Sequence, residues 1–250
     1  MEPPSGGSPP EDAGRAVAGS GPEARLVRTR IRGNGWAAVA FVVLFIVLTG
    51  LVLTGVAQPL DDRLVQYFRP DDVWGERQIR YSPWMHRMRP PLMFALLAGT
   101  CLVVSVWRRS WRPAVLGLAL GTTSAVLVFL VKLAVERPDP HGEVPQFGGS
   151  YPSGHMVAVL VCLGGCLLVL APRTRWWWWA LPAAAAVLMT AALVLSAAHW
   201  TSDVVGGALL ALVLLTGASR WPWRTRASAT RGAVARVGAS VPPPGSAAVR

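Results

Sequence analysis

Ala114–Leu133 reads AVLGLALGTTSAVLVFLVKL, twenty residues that stay apolar or small until Lys132. At 1.5 Å per residue such a helix is about 30 Å long, the thickness of a bilayer's hydrocarbon core. Lys132 is the only lysine in the chain. An ammonium near the end of a membrane span is expensive and marks a functional site by default. Glu136, Arg137, Pro138, Asp139 and Pro140 follow it. Two further polar clusters lie at the ends of other apolar runs, Tyr151-Pro152-Ser153-Gly154-His155 and His199-Trp200-Thr201-Ser202-Asp203. The pattern predicts one site assembled from three helix ends.

Composition supports a membrane protein: 52% of residues are hydrophobic and 15% charged, and mean hydropathy is +0.41. Several runs reach the ~20 residues that a span requires. The formal net charge of +11 is not read as a nucleic-acid footprint, because the arginines sit in short clusters between apolar runs with no recognition motif. Cys101, Cys162 and Cys166 all lie inside apolar stretches, where free cysteine behaves as a small hydrophobe rather than as part of a disulfide framework.

The fold class expected is all-α, a polytopic bundle of six transmembrane helices at about 36–56, 91–107, 114–133, 155–171, 177–197 and 203–219, within a membrane domain over 33–220. Residues 1–32 and 221–250 are read as disordered cytoplasmic tails, rich in small residues and proline. The long polar lead argues against a cleaved signal peptide. Arginines ahead of the first span, at 108–112, at 173–175 and at 220–226 follow alternate spans, so the positive-inside rule puts both termini in the cytoplasm. Lys132, His155 and His199 then share the extracytoplasmic face. The segment 58–90 fits less cleanly, with six arginines against five acids, and is read as an interfacial amphipathic helix around Leu64, Tyr67, Phe68 and Trp74. Trp176–Trp179 are read as a membrane-boundary belt, with a ligand-stacking platform as the alternative.

Phosphoryl transfer is the chemistry these residues suit. Ser153 and Gly154 ahead of a helix leave backbone N–H groups free to face an anion. His155 can donate a proton, and His199 with Asp203 one turn on is the pattern of an imidazole oriented by a carboxylate. Such a ring can attack phosphorus, while Lys132 neutralises the phosphate. Each residue also has a plainer reading: the histidines as interfacial residues, Ser202 or Asp203 as an N-cap, Pro138-Asp139-Pro140 as a turn, and Arg137 as an interfacial anchor. Their joint presence at one membrane face favours the site.

Lys132 with Arg137-Pro138-Asp139-Pro140, Pro152-Ser153-Gly154-His155, and His199-x-x-x-Asp203 followed by Val204, Val205, Gly206 and Gly207 resemble the three blocks of the type 2 phosphatidate phosphatase family, related to the vanadium haloperoxidases. The likeness covers about 92–220. It implies a membrane phosphatase, free of metal and cofactor, that acts on lipid phosphates or isoprenoid pyrophosphates at the outer face through a phosphohistidine. It further implies His199 as nucleophile, His155 as acid for the leaving group, Asp203 as the orienter of His199, and Lys132, Ser153 and Gly154 as phosphate ligands.

The chain departs from that pattern where two arginines are expected. Asp139 takes one place, and Ala192-Leu193 stand where a Ser-Arg pair belongs. At ~5 Å and an effective dielectric near 20 a unit charge pair is worth about 3 kcal/mol, so the exchange bears on phosphate affinity. Arg137, two residues before Asp139, is the candidate partial substitute, with pairing between Arg137 and Asp139 as the alternative. Two readings stay open, a rebuilt clamp for an unusual substrate and a weak or inactive relative that binds lipid phosphates.

Overall fold

Proline sets the start of several helices in this chain. Pro59, Pro90 with Pro91, and Pro113 occupy first turns, where the missing N–H is no loss and the fixed φ is already helical. The computed structural model describes residues 22–69, 76–144, 148–170 and 176–220. Its helices are α1 (Pro22–Leu53), α2 (Gln58–Phe68), α3 (Glu76–Arg87), α4 (Pro90–Trp107), α5 (Arg112–Val135), α6 (Gly154–Leu170), α7 (Ala180–Leu195) and α8 (Thr201–Ser219), with a 3₁₀ turn at Trp176–Trp179 before α7. No strand occurs among the described residues.

Among the described residues, five helical stretches are long and apolar enough to cross a membrane: Gly35–Leu53, Ile79–Trp107, Arg112–Val135, Trp177–Leu195 and Thr201–Ser219. The sixth, α6, has 17 residues. It is the axis of the bundle, packed against α4, α5, α7 and α8. A helix lying on the outside of a fold buries one stripe. In α6, by contrast, Met156, Val157, Val159, Val161 and Cys162 are all buried, as expected of a helix enclosed on every side. Cys101, Cys162 and Cys166 are free and buried in this core.

The contact pattern divides the chain into Met1–Trp36 and Ala37–Arg250. In the first unit the backbone is helical from Pro22, inside the stretch expected to be a tail; Pro22 followed by Glu23-Ala24-Arg25-Leu26 is a helix-starting sequence. Residues 1–21 and the tail expected at 221–250 lie outside the described residues. The segment expected as one interfacial helix is two helices, α2 and α3, and α3 packs along α7. Trp74 lies outside the described residues. Trp177 and Trp178 stack at 4.5 Å and stay exposed.

Helix connectivity gathers the ends. Arg108 Nη2 donates to the Leu170 carbonyl at 3.2 Å, so the end of α4 lies beside the end of α6. The end of α5 and the starts of α6 and α8 meet at the opposite end. There Gly206 and Gly207 let α8 press against the chain entering α6: a Cβ on Gly206 would lie 2.5 Å from the Tyr151 ring, and one on Gly207 2.7 Å from the Ser153 carbonyl oxygen. Gly207→Ala is therefore expected to lower thermal stability in detergent by about 1–3 kcal/mol, as overpacking against backbone does. Gly217, with nothing within 4 Å of its added Cβ, is the control; its alanine variant should gain up to about 1 kcal/mol.

Candidate active site

The site begins where α5 stops. Glu136 adopts a left-handed conformation, φ 46°, and its N–H closes on the Lys132 carbonyl at 2.9 Å. That turn sends Arg137 inward. The chain returns alongside it, with Ser150 N–H donating to the Arg137 carbonyl at 2.7 Å and Gly149 N–H to the Lys132 carbonyl at 3.2 Å. A Cβ on Gly149 would collide with the Arg137 backbone, so this pairing requires glycine. Lys132 Nζ donates to the carbonyls of Gly149 at 2.5 Å and Ser150 at 3.4 Å.

Arg137 is 7% exposed and lies between two buried carboxylates. Nη1 donates to Asp203 Oδ1 at 2.8 Å and to Ser202 Oγ at 2.6 Å. Nη2 donates to Asp61 Oδ2 at 2.8 Å and to Gln58 Oε1 at 2.7 Å. The guanidinium also lies 5.3 Å from the Trp200 ring centre. Both terminal nitrogens of Arg137, the expected substitute phosphate ligand, are thus engaged by protein oxygens.

A strained turn presents His199. Ala197, at φ 58°, ends α7, with Ala198 N–H donating to the Leu193 carbonyl at 3.0 Å and Ala197 N–H to the Val194 carbonyl at 3.3 Å. This is a Schellman closure with alanine where glycine is usual. Beyond it, His199 Nδ1 stands 3.4 Å from Asp203 Oδ2. The same oxygen accepts the Trp200 N–H at 3.1 Å, so Asp203 caps its own helix while facing the imidazole. Ser153 N–H donates to the Asp203 carbonyl at 3.0 Å, joining the start of α6 to the start of α8. His155 follows in the first turn of α6, its ring centre 6.4 Å from that of His199 at an interplanar angle of 68°. Lys132 lies within electrostatic reach of both Asp203 and His155.

His155, His199, Asp203, Ser153, Gly154 and Lys132 therefore gather at one end of the bundle. Sequence reasoning missed Asp61, which is 2% exposed, accepts the Ser202 N–H at 2.9 Å and takes the far side of Arg137. Its signal was an acid on the stripe of Leu64 and Val65, three and four residues on. It gave no separate role to Tyr151, which is fully buried and bonded through its hydroxyl to Thr49 Oγ1 at 2.9 Å.

At the positions where the resemblance expects arginine, the residues present have local structural engagements. Asp139 Oδ1 accepts the N–H groups of His141 at 2.9 Å and Glu143 at 3.0 Å, so it builds its own turn. Burial holds the His141 imidazole in that turn below its usual range, opposed by Asp139. Leu193 is 0% exposed and Ala192 2%, both in the core.

Residues 38–227 match the family model of the PAP2 superfamily. The match covers most of the chain, which belongs to that superfamily. Among solved structures the chain is similar to the first transmembrane PAP2 type phosphatidylglycerolphosphate phosphatase from Bacillus subtilis, with a TM-score of 0.65 and 19% identity over 76% of this chain and 98% of that one. At that identity the likeness is one of fold. No curated protein matches the chain.

Leu193→Arg is expected to lose the monodisperse elution of the folded protein in detergent, because a buried unpaired charge costs several kcal/mol. Asp139→Asn, which keeps the oxygen that accepts both N–H groups, should elute and melt like the wild type.

Proposed function

We propose that this chain hydrolyses a lipid phosphate or isoprenoid pyrophosphate through a phosphohistidine, at a site facing out of the cytoplasm. The observation that carries the reading is the pair of imidazoles from separate segments, 6.4 Å apart, one of them backed by Asp203. His199 would use Nε2 to attack phosphorus while Nδ1–H points to Asp203, which stabilises the positive charge the ring acquires. The bond from phosphorus to the leaving oxygen breaks as His155 gives that oxygen a proton. Water then attacks the phosphohistidine, His155 takes the water's proton, and phosphate leaves with His199 restored. Lys132 and the first backbone N–H groups of α6, from Gly154 on, would offset the phosphate's charge, and Ser153 sets the entry to that helix.

A second reading, a lipid-phosphate binder of weak turnover, is favoured by Asp139 and Leu193 at the arginine positions. Phosphate release by purified protein in detergent, with chelator present, decides between them. The proposal expects turnover that His199→Ala abolishes, with Asp203→Asn roughly a hundredfold less damaging. Retained turnover in His199→Ala would rule out the phosphohistidine. Lipid-phosphate binding without release would favour the second reading.

The outward orientation is tested separately. Cysteines introduced as Glu143→Cys and Trp111→Cys replace exposed residues, and the native cysteines are buried. An impermeant thiol reagent on intact cells should label the first and spare the second. The reverse pattern would put the site in the cytoplasm.

A further inference from the structure

Asp61 comes from α2, outside the three polar clusters, yet it has two engagements at the site. Its Oδ1 accepts the Ser202 N–H and so caps the start of α8. Its Oδ2 accepts from Arg137 and from the Ser202 hydroxyl. Arg137 passes the link to Asp203, and Asp203 faces His199. The order is Asp61, Arg137, Asp203, His199, with the first three nearly closed to solvent.

We infer that Asp61 is a positioning residue for the histidine chemistry, acting through Arg137 on Asp203 and His199. The inference rests on the phosphohistidine reading. Arg137 alone would compensate Asp203 and draw it away from the imidazole. With Asp61 on its other side, Arg137 is itself compensated and the cluster keeps one negative charge. That charge is available when His199 becomes cationic on taking the phosphoryl group. The arrangement also fixes direction, because a guanidinium with two nitrogens on two carboxylates has little freedom to swing.

The test is Asp61→Asn, which keeps an oxygen for the Ser202 N–H and removes the charge. Expected are a melting temperature in detergent close to the wild type, kcat lower by about tenfold or more, and KM changed by less than about threefold. Asp61→Glu should recover part of the loss. Arg137→Lys should itself lower kcat, since one ammonium cannot reproduce the fork. In an Asp203→Asn background, Asp61→Asn should lower kcat no further. Nitrogen-15 shifts of the histidines report the tautomer of His199, expected as Nδ1–H in the wild type and mixed in Asp61→Asn.

Wild-type kcat in Asp61→Asn, or a loss that multiplies undiminished onto Asp203→Asn, would overturn the inference. So would a loss that follows melting temperature alone with the tautomer unchanged. Should the wild type release no phosphate, the phosphatase reading fails and the tautomer decides: an unchanged ring in Asp61→Asn overturns the positioning role, and a changed one supports it.

Discussion

One guanidinium between two carboxylates holds the polar end of this bundle together. Arg137, Asp61 and Asp203 are each at most 7% exposed, in a place where a single uncompensated ion would be penalised by several kcal/mol. Joined, with hydrogen bonds from Ser202 and to Gln58, they satisfy one another. The pairing ties the segment after α5 to the starts of α2 and α8. The direction in which Asp203 faces His199 follows from it, since the carboxylate has one oxygen on Arg137 and the other toward the imidazole.

The apolar architecture makes that end possible. An enclosed α6 fixes His155 in depth, and Gly206 and Gly207 bring α8 close enough for the Ser153 N–H to reach the Asp203 carbonyl. Tyr151 fills the space against Gly206 and reaches Thr49 of α1. The backbone positions of the two histidines are thus set by the close contacts among α6, α8 and the chain entering α6.

The bundle was legible in the sequence because a span is written locally, as about twenty apolar residues, and its ends carry proline or polar residues. His155, His199 and Asp203 were legible for the same reason, each beside a helix end. Asp61 was not. Its partner Arg137 is 76 residues away, and no local periodicity encodes an ion pair at that distance. Mixed charge in 58–90 suggested an interfacial helix, whereas one of those acids turns inward and α3 lies along α7. For Asp139 the plainer reading of Pro-Asp-Pro as turn chemistry is the one its hydrogen bonds follow.

Charge at the site bears on what can hold a phosphate there. Asp61 and Asp203 offset Arg137 and Lys132, so the four groups nearly balance before any anion arrives. Asp139 is spent on its own turn, and Leu193 is sealed in the core. On the proposed reading, attraction for an anion would fall to Lys132 and to the backbone N–H groups at the start of α6, whose dipole contributes on the order of half a charge. Lys132 is held by two carbonyls, which accept its protons without cancelling its charge. A site with two further guanidinium groups would grip the phosphate more strongly. On the lipid-phosphatase reading proposed above, a larger share of the substrate's affinity would come from its apolar part.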